Sequence, residues 1–211
     1  MLLAFDTATA AVTVAVADGD VVLAGSTTVD ARRHGELLAP MIEAMLVQAG
    51  VDRSALTAIA VGTGPGPFTG LRVGLVTART LGAVLGVPVL GVCTLDAIAL
   101  GSGLLGDFRV VTDARRREVH WAAYRTVRRS IERTEGPYVA SPAAVAFNGP
   151  AVGAGAELYA EYFPDRYEPL HPDAAELARW VARRLPTTAP DPLYLRRPDA
   201  MEPGVRKSAL T

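Results

Sequence analysis

The sequence predicts an α/β chain in which one folding unit is used twice, the second time in reduced form. Three observations carry this expectation. The apolar run Leu2–Phe5 ends in Asp6, and the run Phe108–Val111 ends in Thr112-Asp113, so both halves open on a buried strand with a polar tip. Each opening strand is followed by segments that alternate as antiparallel strands do. Helical and strand periods then take turns along the chain, over a longer stretch in the first half than in the second. A chain of 211 residues, half of them hydrophobic, can bury one good core or two small ones sharing a boundary.

The first half reads as β-β-β-α-β-α-β-α. Val12, Val14 and Val16 alternate with small residues, Asp18-Gly19-Asp20 turns the chain, and Val21–Ala24 resumes, which predicts a hairpin. A helix is predicted over 35–49 from Leu37, Leu38, Met41, Ile42, Met45 and Leu46, with Gly50 as its stop. A buried strand over 57–62 runs into the glycine-rich segment Gly62–Gly70. Thr69 is the predicted N-cap of a helix over 70–85. A strand over 87–92 and a helix over 95–104 complete the half.

In the second half the spacing predicts strands over 108–113, 118–126, 131–139 and 151–155, with helices over 157–162 and 174–185. Three strands including a hairpin, then alternating helices and strands, all repeated once, is the arrangement of the actin-like ATPase and sugar-kinase superfamily. Its lobes are ribonuclease-H-like. By that analogy residues 1–106 form an N-terminal actin-like lobe and residues 107–197 a reduced C-terminal lobe with an arm at Pro192–Leu195. The proline- and charge-rich residues 198–211 are an expected disordered tail.

A net charge of −1 argues against a free-standing nucleic-acid binder, which normally carries a clear basic excess. Cys93 is the only cysteine, which rules out a disulfide within the chain and fits a reducing cytoplasm. The start lacks a signal-peptide pattern, and no uninterrupted apolar run approaches the roughly 20 residues that span a bilayer, so a cytoplasmic protein without a membrane partner is expected.

Four features bear on chemistry. Asp6-Thr7 places a carboxylate and a hydroxyl where superfamily members meet metal and phosphate, or it is a strand end satisfying its own backbone. With a short second half it reads as a vestigial phosphate loop. The Gly62–Gly70 segment precedes a helix N-terminus, where N–H groups favour anions, yet no Lys-Ser/Thr pair follows it as in a P-loop. Gly70, Gly74, Ala78, Gly82 and Gly86 recur at every fourth position of the predicted helix. Interior glycine costs about 1 kcal/mol relative to alanine, so another backbone must come close: the chain's own sheet, its first helix, or a partner's helix. His34 has Leu38 at the fourth position after it, so no histidine pair forms there.

Asp6-Thr7-Ala8-Thr9, Arg33-His34, Gly64–Gly74, Thr112–Arg115, Glu118–Ala122 and Pro192–Arg196 together resemble the TsaB (YeaZ) family over nearly the whole chain. The Gly64–Gly74 segment also occurs in the paralogous TsaD-type enzyme. The resemblance implies a non-catalytic subunit, without cofactor or metal, in the complex that forms N6-threonylcarbamoyladenosine in tRNAs reading codons that begin with A. Implied partners are a TsaD-type catalytic subunit bound through N-lobe helices, a TsaE-type ATPase, tRNA through the complex, and a second copy of the chain on the same surface. Leu38, Met41, Met45, Gly74, Ala78 and Gly82 are the implied interface residues. The alternatives are a degenerate M22-type metallopeptidase or a small phosphotransferase.

Overall fold

The computed structural model describes residues 1–128 and 130–195. The expected tail at 198–211 lies outside the described residues. The first half contains β1 (Leu2–Asp6), β2 (Ala11–Asp18), β3 (Val21–Val29), α1 (His34–Ala49), β4 (Ala58–Gly62), α2 (Phe68–Leu85), β5 (Val89–Val92) and α3 (Thr94–Ser102). The second half contains β6 (Gly106–Arg115), β7 (Glu118–Val127), β8 (Ser130–Ala140), β9 (Ala151–Val152), α4 (Ala154–Leu158), β10 (Arg166–Tyr167) and α5 (Ala174–Ala182).

The two sheets have the same plan. The first runs β3-β2-β1-β4-β5 and the second β8-β7-β6-β9-β10. In each, the opening strand pairs antiparallel with the next strand and parallel with the fourth. This is the duplicated unit of the actin-like ATPase and sugar-kinase superfamily.

The pleat sends alternate residues of β1 to opposite faces. Leu3 and Phe5 join Val12, Val14, Leu38, Ile42, Leu71 and Leu75 beneath α1 and α2. Leu2 and Ala4 face the other way, with Ala15, Ala17 and Ala60, against Leu177, Ala178 and Trp180 of α5. Alanines on both surfaces let that helix lie close to the sheet. So α5, expected in the second lobe, packs on the first sheet. Further along, α3 packs through Leu95 and Ile98 on Phe108, Val110 and Tyr124 of the second sheet. The far face of that sheet is covered by a 3-10 turn at Pro142–Val145 and the five-residue α4, where the first sheet has helices of 16 and 18 residues. That is the physical content of the reduction.

Several expected boundaries move. Pro67, with no side-chain cap, starts α2, so Thr69 lies inside the first turn and does not cap it. The helix expected over 157–162 begins earlier, at Ala154, and α5 ends at Ala182. The two-residue β10 is too short for any periodicity to reveal. By length and composition α2 is apolar enough to cross a membrane. Its small-residue face is packed on the sheet, as a core helix of the first unit is.

Candidate functional site

Asp6 ends β1 and is fully buried. Ala8 N–H donates to its Oδ1 and the Thr94 hydroxyl to its Oδ2, both at 2.6 Å. Thr94 also accepts from Gly64 N–H at 3.1 Å, tying the glycine loop to the start of α3. Gly62 has no side chain because a Cβ there would fall inside the Asp6 carboxylate. Burial pushes the Asp6 carboxyl up to about 6, against the lowering effect of the Thr94 and Ala8 bonds.

Thr7 is equally committed. Its hydroxyl donates to Gly70 O at 2.7 Å and accepts from Gly74 N–H at 3.0 Å, inserting between two groups one helical turn apart in α2. Gly66 and Gly70 leave room for the backbone of Ala8 and Thr7. The Asp6-Thr7 strand end, expected as a vestigial phosphate loop or as a strand end satisfying its own backbone, has both side chains engaged within the chain. Both side chains clamp β1 to α2 and α3, and the glycines admit the protein's own backbone.

The small residues expected at a partner interface face inward in the single chain. Ala78 is fully buried, a Cβ on Gly74 would stand 2.6 Å from Thr7 Oγ1, and one on Gly82 would strike Val89. Gly74, Ala78 and Gly82 thus address the first sheet and the strand that follows α2. Leu38 and Met45 are buried in the same core, and Met41 is half-buried against it. The close approach that the small residues require is internal.

What α1 and α2 present outward is a groove of about 1030 Å³ between them, walled by Leu46, Val47, Leu81, Val84 and Leu85, with Glu43 and Arg53 also lining it. Val47 and Val84 are 77% and 76% exposed, and Val76 lies bare on the outer side of α2. Apolar residues off the buried stripe were the available signal: Val47, Val76 and Val84 add nothing to the core face.

His34 Nε2 donates to Thr9 O at 2.7 Å, so the lone histidine of α1 braces the β1–β2 turn. Among the described residues no three His, Cys, Asp or Glu side chains are grouped to hold a metal ion. The C-terminal arm bridges Thr188 to Gly91 on the edge of β5, and Tyr194 stacks on Phe68 at 5.5 Å while receiving a hydrogen bond from Arg72 Nε at 3.2 Å.

A second concavity, about 250 Å³, opens between the two sheets and is lined by Thr9, Thr112, Asp113, Arg115 and His171 among others. Asp113 accepts Arg115 N–H at 2.8 Å and pairs with its guanidinium at 3.3 Å. Sequence reading placed Thr112 in the Thr112–Arg115 segment without a site role and gave His171 none. It also missed the Val152-Gly153-Ala154-Gly155 turn, where the two glycines let the chain press on the Val111–Thr112 backbone.

These features define a small two-sheet member of the superfamily whose strand-end carboxylate is structural and whose first two helices expose an apolar groove. The TsaD family, described as tRNA N6-adenosine threonylcarbamoyltransferase, matches residues 27–174. An uncharacterized protein of Mycobacterium tuberculosis is 48% identical over 94% of this chain and 93% of its own length. The Escherichia coli tRNA threonylcarbamoyladenosine biosynthesis protein TsaB is 38% identical over 58% of this chain and 54% of its own. The structure of YeaZ from Pseudomonas aeruginosa superposes with a TM-score of 0.80 at 30% identity, covering 92% of this chain and 99% of that one. The chain belongs to the TsaD family, and within it to the TsaB (YeaZ) type.

Proposed function

We propose that the chain is the non-catalytic subunit of a bacterial complex that forms N6-threonylcarbamoyladenosine beside the anticodon of tRNAs reading codons that begin with A. In this reading it binds and supports a TsaD-type catalytic subunit, a TsaE-type ATPase joins the pair, and tRNA is engaged through the assembly in the cytoplasm. The observation that carries the reading is the exposed groove between α1 and α2. Contiguous exposed apolar surface marks association sites, and helical walls suit a partner that contributes helices of its own. A phosphotransferase would need Asp6 and Thr7 open to a nucleotide, whereas both are spent inside the fold.

The test is titration of the full chain with the TsaD-type subunit, comparing Val47→Glu and Val84→Lys with Ala78→Leu. The two valine variants are expected to melt with the parent and to lose about 30-fold in affinity, the effect of a 2 kcal/mol contact residue. Ala78→Leu is expected to lose about 1–3 kcal/mol of stability by overpacking. An unmodified chain that does not bind the TsaD-type subunit sinks the reading. A valine variant that binds as well as the parent moves the interface elsewhere. A concentration-dependent dimer abolished by the same valine changes would assign the groove to a second copy of the chain.

A further inference from the structure

Among the described residues the two sheets end on four edge strands, and three of them carry a device that stops further pairing. The β10 edge has two residues. On the β5 edge the C-terminal arm stands in for a neighbour, with Gly91 and Thr188 exchanging both backbone hydrogen bonds at 2.9 Å. The β8 edge bears Glu132, Arg133, Glu135 and Pro137, and two irregularities interrupt its register with β7. The β3 edge differs. Its nine residues, Val-Val-Leu-Ala-Gly-Ser-Thr-Thr-Val, include no charge and no proline. Its one irregularity falls near the start, opposite Val16 and Ala17, and from Ala24 to Val29 the register with β2 is unbroken. An antiparallel strand turns alternate N–H and C=O groups away from its neighbour. A row of them therefore lies open on the outer side of β3, flanked by the exposed Val21, Leu23 and Val29.

We infer that β3 pairs antiparallel with β3 of a second copy of the chain, joining two five-stranded sheets into one of ten strands. Antiparallel pairing of a segment with itself is two-fold symmetric, so the contact closes with two copies and does not propagate. The charges at the ends of the strand fit that direction. Asp18 and Asp20 precede β3, whereas Arg32 and Arg33 follow it. Asp30 beside them is paired with Arg33 at 2.7 Å, which leaves Arg32 as the net charge at that end. Antiparallel pairing brings the acidic end of one copy to the basic end of the other, and parallel pairing would set like charges together. The residues lining the α1–α2 groove include none of β3, so this contact is independent of the partner-binding reading.

The test uses the full chain without any partner subunit, by sedimentation velocity across micromolar concentrations, with hydrogen exchange on the same samples. The parent is expected to dimerise reversibly, and the amides of Gly25–Val29 to exchange more slowly as the concentration rises. Gly25 is exposed at the middle of β3, and a Cβ there meets its neighbours at an ordinary 3.8 Å. Gly25→Lys and Gly25→Thr should therefore melt no lower than the parent monomer. Lysine brings like charges together across the pair and should weaken dimerisation about 10-fold or more. Threonine, uncharged and suited to strands, should leave the dimer at least as tight. Val47→Glu, in the groove, should dimerise as the parent does. A parent that stays monomeric overturns the pairing, as does a Gly25→Lys variant that dimerises like the parent. A dimer without slowed β3 exchange places the contact on another surface and overturns it equally. Loss of the dimer in Val47→Glu would instead seat the second copy in the groove.

Discussion

Asp6 and Asp113 occupy matching places near the ends of the opening strands of two sheets with one strand order, yet they do opposite work. Around Asp6 the glycine loop, the β1–β2 turn and the start of α3 have closed completely, and the carboxylate has become the knot that joins them. Around Asp113 the corresponding approach is made by the backbone of Gly153–Gly155, which presses on Val111 and Thr112 and leaves the carboxylate at a cavity rim. A duplicated backbone therefore does not carry a duplicated site. The neighbours decide: a hydroxyl at residue 94 consumes one carboxylate, while the other spends itself on its own turn and on Arg115.

The comparison breaks most visibly at Gly62. Gly62→Ala places a methyl group where the buried Asp6 carboxylate sits, held there by the Thr94 hydroxyl and Ala8 N–H. A loss of about 3–5 kcal/mol is expected in denaturant unfolding, at the upper end for single changes. A loss below about 1 kcal/mol would show that Asp6 can swing aside and is not the knot described.

Next in size is a pH effect. The folded-state pKa of Asp6 is about 6, above its ordinary carboxylate value. The protonated form is favoured in the folded chain, so this stabilisation is complete below about pH 4 and is lost as pH rises through about 6. The roughly two-unit difference corresponds to a loss on the order of 3 kcal/mol. The readout is the stability of the parent minus that of Asp6→Asn, measured between pH 4 and 7. The difference should slope between those limits. Parallel curves for parent and Asp6→Asn would remove the contrast.

The smallest effect concerns the hairpin turns of the two units. The β2–β3 turn uses Gly19 at φ +57°, whereas the β6–β7 turn puts Arg115, Arg116 and Arg117 at φ +63°, +56° and +60°. Two-residue hairpin turns with left-handed central residues favour Asn-Gly, and a side chain there strains the backbone. Arg116→Asn with Arg117→Gly is expected to stabilise the chain by about 1–2 kcal/mol. Gly19→Arg should destabilise it by about 1 kcal/mol. An unchanged or lower melting temperature in the Asn-Gly variant would mean that the arginines contribute contacts worth the strain.

Much of the fold was legible because its signals are local. The Leu3/Phe5 and Leu2/Ala4 alternation, the Val12–Val16 pattern, the Gly50 and Gly86 stops, and the matching strand-then-aspartate openings each follow from a few adjacent residues. They were sufficient to imply two units of one design. The site was less legible. Thr94 acquires its role from a residue distant in sequence, and no spacing announces it.

The α2 helix marks the boundary between the two kinds of knowledge. Its sequence by itself determined that Gly70, Gly74, Ala78 and Gly82 share one face and that some backbone must approach it closely. Only the tertiary structure decided which backbone. Periodicity states which residues lie together on a helix and is silent about the body on the other side, because a chain's own sheet and a partner's helix demand the same small side chains. Here Thr7, Val61 and Val89 stand against that face, so the stripe is core. The surface that stays bare is the one bearing Val47 and Val84, apolar residues that the core did not need.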